Sequence, residues 1–243
     1  MKLEMLSDST KIFTKTDLDI YLKELAKEYK RINGKSTPAE IILIGGAAIL
    51  ANYGFRDMTT DVDAIITAAT SMKDAINHVG DRYQLPNGWL NENFRRTPSY
   101  SPKLIERSKY YKSFYGMLEV RTIRAADLVA MKLRAGRKYK NDLSDIIGIL
   151  AEHEKRGSQI TREQVDEAVE YLYGSWDVIP EESRNFIEET LQRRSYEQVY
   201  EIIRKEEKRS KELLVDFQED YPDVANQANV NAILEHLKKK NNH

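Results

Sequence analysis

The stretch Thr59-Thr60-Asp61-Val62-Asp63 constrains this chain more than any other. It follows the apolar run Ile41-Ile42-Leu43-Ile44 and the pair Gly45-Gly46 after a short helical connection, and it leads into Ala64-Ile65-Ile66. In an extended segment, side chains two residues apart point to one face, so Asp61 and Asp63 converge. Aspartate is disfavoured in strands, and two such carboxylates beside Ile65-Ile66 repel each other unless a cation sits between them. Two carboxylates make a hard, oxygen-only site suited to magnesium. A glycine pair after a strand lets backbone approach a phosphate closely, although alone it reads equally well as a turn. The combination points to metal-assisted phosphoryl chemistry on a nucleotide. The competing reading is a strand end with ordinary surface acids.

Composition narrows the alternatives. The chain has 243 residues, enough for one large domain or two small ones. It has no cysteine, which excludes disulfides, thiolate metal sites and cysteine nucleophiles. No apolar run approaches the roughly 20 residues that span a bilayer. Met1-Lys2-Leu3-Glu4-Met5 lacks the apolar core of a signal peptide, so a cytoplasmic protein is expected. The net charge of −1 does not by itself announce a nucleic-acid binder. The charge is uneven: residues 1–154 carry 24 Lys+Arg against 20 Asp+Glu, and residues 155–243 carry 14 against 19. The four histidines, His78, His153, His236 and His243, have no metal-ligand spacing, and no serine sits in a nucleophile elbow.

The pattern predicts an amphipathic helix from Thr16 to Asn33, with Thr16 as N-cap and Gly34 ending it. A strand over Ile41–Ile44, a helix over Ala47–Asn52, a strand over Asp61–Thr67 and a helix over Ser71–Val79 follow. The breakers Pro86, Gly88, Pro98 and Pro102 predict irregular structure over 81–115. Ser113–Met117 and Leu118–Ile123 read as a hairpin or a bulged strand. Helices are predicted over Ala125–Ala135 and Asn141–Glu154. After Gly157 strand signals cease. Thr161 with Gln164 forms a capping box for a helix through Tyr173, and further helices are expected over Pro180–Arg193, Ser195–Asp220 and Asp223–Lys239. The predicted division is residues 1–156 and a helical region, residues 157–243.

Three blocks carry a resemblance: Gly45-Gly46-Ala47-Ala48 with Arg56 to Asp63; Asp127 to Arg137; and Asn141-Asp142-Leu143-Ser144-Asp145-Ile146. In this order they resemble the nucleotidyltransferase superfamily, and within it the branch holding the AbiEii-like abortive-infection toxins and related bacterial proteins. The resemblance covers roughly residues 38 to 150. It implies an α/β (α+β) nucleotidyltransferase-type core, a small mixed sheet flanked by helices, followed by an all-helical C-terminal region. It implies transfer of a nucleoside monophosphate from a nucleoside triphosphate such as ATP to an acceptor. Asp61 and Asp63 would bind Mg2+ or Mn2+. Gly45, Gly46, Thr59, Lys132 and Arg137 would hold the nucleotide, Lys132 by neutralising triphosphate charge. Asp142 would be the third carboxylate, as ligand or base, with Glu119 on the later strand as its rival. Ala47 stands where toxins of the branch often carry a serine. The implied partners are an RNA, tRNA or protein acceptor and a cognate antitoxin or regulator, with no membrane.

Two other readings use the residues differently. Arg95, Arg96, Lys103, Arg107, Lys109 and Lys112, opposed by Glu106 and interleaved with Tyr100, Tyr110 and Tyr111, suit a single-stranded RNA backbone or a solvated loop. Arg134, Arg137, Lys138 and Lys140 form a second basic cluster. Alternatively the fold serves as a binding partner, an antitoxin or scaffold component, with the helical tail as its interface.

Overall fold

A computed structural model describes residues 11–193, 196–226 and 229–240. Met1–Met5, His243 and Ser195, the predicted start of one helix, lie outside the described residues. The protein is a mixed α/β structure, 59% helical. Its five strands are β1 (Ala39–Leu43), β2 (Val62–Thr67), β3 (Leu90–Asn91), β4 (Ser108–Phe114) and β5 (Leu118–Ile123). They lie in the order β3-β2-β1-β5-β4. β1 runs parallel to β5 and antiparallel to β2, so the sheet is mixed as expected. β1 and β2 bury Ile41, Ile42, Leu43, Val62, Ala64 and Ile65, and helices cover them.

Local chemistry moves several boundaries. Helix α1 spans Lys15–Asn33 and its N-cap is Thr14, not Thr16. Thr14 accepts from the Asp17 amide while Asp17 accepts from the Thr14 amide, a reciprocal box; Asp19, which stands in the same place after Thr16, is instead bonded by Tyr111 and Lys112. Helix α2 starts at Gly45 rather than Ala47 and runs to Asn52. Helix α3, Met72–Tyr83, passes the predicted end at Val79 and ends on Gln84 in the left-handed region, and the Trp89 indole donates to its Ile76 carbonyl. The 81–115 segment contains β3, two short 3-10 turns and all of β4. β4 begins at Ser108, five residues before the predicted strand, and pairs antiparallel with β5 across a bulge between Tyr110 and Lys112. Tyr115 and Gly116 both adopt positive φ to close this hairpin. Helices α4 (Ala125–Ala135) and α5 (Asp142–Lys155) lie within a residue of expectation.

The C-terminal part is helical: α6 (Arg162–Tyr173), α7 (Glu181–Gln192), α8 (Tyr196–Asp220) and α9 (Val230–Lys240). The Thr161–Gln164 capping box forms as read from the sequence. Helix α9 starts seven residues later than predicted; turns occupy 222–224. Ile160, Val165, Val169, Leu172 and Ile187 join the same buried core as the sheet. A smaller cluster of Tyr139, Leu214, Val230 and Leu234 seats α8 and α9. Among the described residues no helix is long and apolar enough to cross a membrane.

Glu207 on α8 is buried, and its carboxyl is pushed up to about 8, chiefly by loss of hydration and further by the charge of Asp145, against the Ser144 and Leu143 groups that hydrogen-bond it. A raised carboxyl contributes stability fully below its ordinary value, here 4.5, and that contribution is lost as pH rises towards 8. Wild type is therefore expected to lose stability on the order of 3 kcal/mol relative to Glu207→Gln between pH 5 and pH 8.5. Urea unfolding of both proteins at the two pH values checks this; parallel curves would contradict it.

Candidate active site

The C-terminal end of β1 and the entry to β2 meet where the Ile44 amide donates to the Asp63 carbonyl at 2.9 Å. Val62 is fully buried, while Asp61 is exposed and Asp63 half-buried. Asp61 precedes the first residue of β2 instead of lying within the strand. Thr59 is fixed by a two-way backbone pairing with Phe13, at 2.8 and 2.9 Å, and its hydroxyl donates to Asp61 at 3.4 Å. No side chain caps the start of α2, whose first amides have no partner within the helix.

The two glycines do different work. Gly45 has φ +54° and open space where a Cβ would point. Gly46 is closely packed: a Cβ there would lie 2.6 Å from Thr59 Oγ1 and 2.9 Å from Arg56 Nη2. Its missing side chain thus makes room for the protein's own Thr59 and Arg56. Gly46→Ala is expected to cost about 1–3 kcal/mol by overpacking, because Arg56 is pinned and Thr59 is too short to swing clear. A thermal melt that matches wild type would contradict that packing role.

Arg56 connects the turn to a buried ion cluster. Its Nη1 donates to Asp145 Oδ2 at 2.6 Å and its Nε to the Met58 carbonyl at 3.0 Å. Lys132 Nζ lies 2.9 Å from Asp142 Oδ1 and 2.8 Å from Asp145 Oδ2. Arg137 grips Asp142 in a fork, Nε to Oδ2 at 2.7 Å and Nη2 to Oδ1 at 3.1 Å. Asp142 and Asp145 are 0 and 1% exposed, which makes this a cluster inside the fold and not on a solvated helix face. Burial opposes ionisation of Asp142, yet Arg137 and Lys132 hold its carboxyl far below the usual range. Burial likewise opposes charge on Lys132, and Asp142 and Asp145 overcome it and raise the ammonium. The Arg137 guanidinium is held charged by Asp142, with a contribution from Asp61, against the cost of burial. Three cations against two enclosed carboxylates leave one positive charge over, close to the Asp61 side of the turn.

The structure therefore brings Gly45, Gly46, Thr59, Asp61 and Asp63 to one turn, and links it through Arg56 to Lys132, Asp142 and Arg137. Arg56 and Asp145 were not among the predicted site residues. Asp145 lies on the first turn of α5, and its pairing with Arg56, 89 residues away in the chain, has no local signal. Glu119 lies elsewhere. It is in register with Glu40, three rows from the Leu43–Thr122 row, or about 10 Å along the strand. There it pairs with Arg121 at 2.8 Å.

The donor set fits a metal ion of a particular kind. Among the described residues no three acidic or histidine side chains converge. Asp61 and Asp63 alone suit magnesium, which commonly takes one or two protein carboxylates and fills its octahedron with water and substrate phosphates. Asp142 contributes no free oxygen, since both accept from Arg137 and Lys132.

The basic tyrosine-rich segment is largely tied down. Arg95 pairs with Glu92 and Tyr100, Lys103 donates to the Tyr171 carbonyl, Arg107 pairs with Glu167 and stacks on Tyr171, and Lys112 pairs with Asp19. Its strand, β4, is a sheet edge two strands from β1.

Residues 21–153, more than half of the chain, match the model of a family described as nucleotidyltransferase of unknown function (DUF6036). The matched span contains every residue of the turn and of the ion cluster. No curated protein and no solved structure matches the chain.

Proposed function

We propose that this chain, which belongs to the nucleotidyltransferase family of unknown function, transfers a nucleoside monophosphate from a nucleoside triphosphate to an acceptor hydroxyl. The acceptor oxygen bonds to the α-phosphorus, the bond from that phosphorus to the β-bridging oxygen breaks, pyrophosphate leaves, and the hydroxyl proton passes to solvent. The observation that carries this reading is the Asp-x-Asp turn facing a buried cluster with one cation in excess. Mg2+ or Mn2+, when bound by Asp61 and Asp63, supplies charge neutralisation at the phosphates. The α2 amides beside Gly45 and the Thr59 hydroxyl orient the triphosphate. Lys132 and Arg137 stabilise charge that develops as pyrophosphate departs. Asp142 and Asp145 hold these cations in fixed positions, so they act before the substrate arrives.

The acceptor hydroxyl belongs to an RNA, a tRNA or a protein. Each α-32P-labelled triphosphate is incubated with magnesium, the protein and total tRNA. Label from one nucleotide is expected in the RNA or the protein fraction and not with Asp61→Asn/Asp63→Asn. The labelled fraction identifies the acceptor, and no transfer from any of the four would sink the reaction. The likeness of the Asp127–Arg137 and Asn141–Ile146 blocks to the AbiEii-like branch supports a toxin or phage-defence role with a cognate antitoxin. Growth arrest on expression, absent with the double variant, tests that role.

A further inference from the structure

The start of α5 carries Asp142, the residue that clamps Lys132 and Arg137, yet its own N-cap fails. Asn141 makes no side-chain cap bond. The orphan amides of the second and third residues, Leu143 and Ser144, are instead accepted by one oxygen of Glu207, at 2.8 and 3.3 Å. Glu207 is 64 residues further along the chain, on α8. Its other oxygen and the Ser210 hydroxyl one turn on are buried without a partner. A glutamate that is 3% exposed among Ser210 and Leu214, both fully buried, is a costly choice for a packing position. The same face of α8 reaches the site at a second point. Tyr200, seven residues before Glu207, donates to the Phe55 carbonyl at 3.2 Å, directly ahead of Arg56. Phe55 in turn packs on α5, where a Cβ at Gly148 would lie 2.5 Å from its ring. One helix outside the family-matched span thus holds both branches of the ion cluster: α5 through Glu207 and the Arg56 loop through Tyr200.

We infer that Glu207 is a positioning residue for nucleotidyl transfer, capping α5 from α8 so that Asp142 keeps Lys132 and Arg137 aimed at the triphosphate. The C-terminal helices are then part of the catalytic apparatus. This rests on the functional reading above. It predicts that losing the cap disorders the first turn of α5 and slows turnover while leaving the Asp61–Asp63 turn, and hence triphosphate binding, in place.

The test compares full-length wild type, Glu207→Ala and Glu207→Gln. Glutamine keeps an acceptor oxygen for the two amides. Amide exchange at Leu143 and Ser144 is followed by NMR, magnesium-dependent affinity for ATP, GTP, CTP and UTP by calorimetry, and turnover by pyrophosphate release. In Glu207→Ala, exchange at these two amides should rise at least about tenfold, and kcat should fall about tenfold to a hundredfold. Affinity should stay within about twofold, since the binding turn is untouched. Glu207→Gln should restore exchange and kcat together. Equal loss of kcat and affinity in the alanine variant, or a glutamine variant as slow as alanine, would overturn the positioning role. So would unchanged exchange. A wild type that neither binds nor turns over any triphosphate would overturn the functional reading and the positioning role with it, whereas unchanged exchange would overturn the positioning role and leave the functional reading standing.

Discussion

Asp142→Asn is expected to lose at least about a hundredfold in turnover, while Glu119→Gln stays within about twofold of wild type. The two acids were expected as rivals for the third carboxylate, and their surroundings differ. Asp142 is fully enclosed and takes hydrogen bonds from Lys132 and Arg137 on both oxygens. Removing its charge leaves Arg56, Lys132 and Arg137 against Asp145 alone and takes from Arg137 the carboxylate it grips, and breaking a buried ion pair costs about 3–5 kcal/mol. Glu119 is half-exposed against Arg121, an arrangement worth about 0–1 kcal/mol. Urea unfolding and pyrophosphate release from the same two variants check both halves. A dead Glu119→Gln beside an active Asp142→Asn would reverse the assignment and move the site along β5.

Lys132→Met is expected to be at least as severe. Its ammonium lies between two enclosed carboxylates, 2.9 and 2.8 Å away. Methionine fills similar volume and removes the ammonium that pairs with both acids. Asp142 retains Arg137 and Asp145 retains Arg56, so the fold survives, with a loss of about 3–5 kcal/mol. In a chain of this length that corresponds to a fall of roughly 10 °C in melting temperature. Lys132→Arg is not expected to restore activity, because a planar fork cannot take the place of a compact ammonium. A Lys132→Met protein with wild-type melting and turnover would show that the cluster is neither structural nor catalytic.

The features put forward from the sequence are those set by local rules. Asp61 and Asp63 stand out as candidates because aspartate beside a β-branched run is unfavourable without a purpose. The start of α6 was readable because Thr161 and Gln164 form a reciprocal cap within one turn. The N-cap of α1 shows how such a reading slips: Thr14 with Asp17 and Thr16 with Asp19 offer the same spacing, and Asp19 is drawn off by Tyr111 and Lys112 from a distant strand. What escaped the sequence was long-range. Arg56 and Asp145 pair over 89 residues, and Glu207 reaches Leu143 over 64, so no periodicity or spacing brings them together. Gly46 was misleading in another sense, since the space it leaves open is filled by Thr59 and Arg56. The basic stretch from Arg95 to Lys112 invited a nucleic-acid reading because its counter-charges, Glu92, Asp19 and Glu167, lie outside the window.

Binding of the four nucleoside triphosphates by calorimetry, with magnesium and with EDTA, in wild type and in Asp61→Asn/Asp63→Asn, addresses the central claim most directly. The double variant carries its changes on an exposed and a half-buried side chain, so its melting temperature should match wild type. Wild type should bind at least one triphosphate only when magnesium is present, and the double variant should bind none. Equal affinity in the two proteins, or wild-type binding that EDTA leaves untouched, would contradict the account.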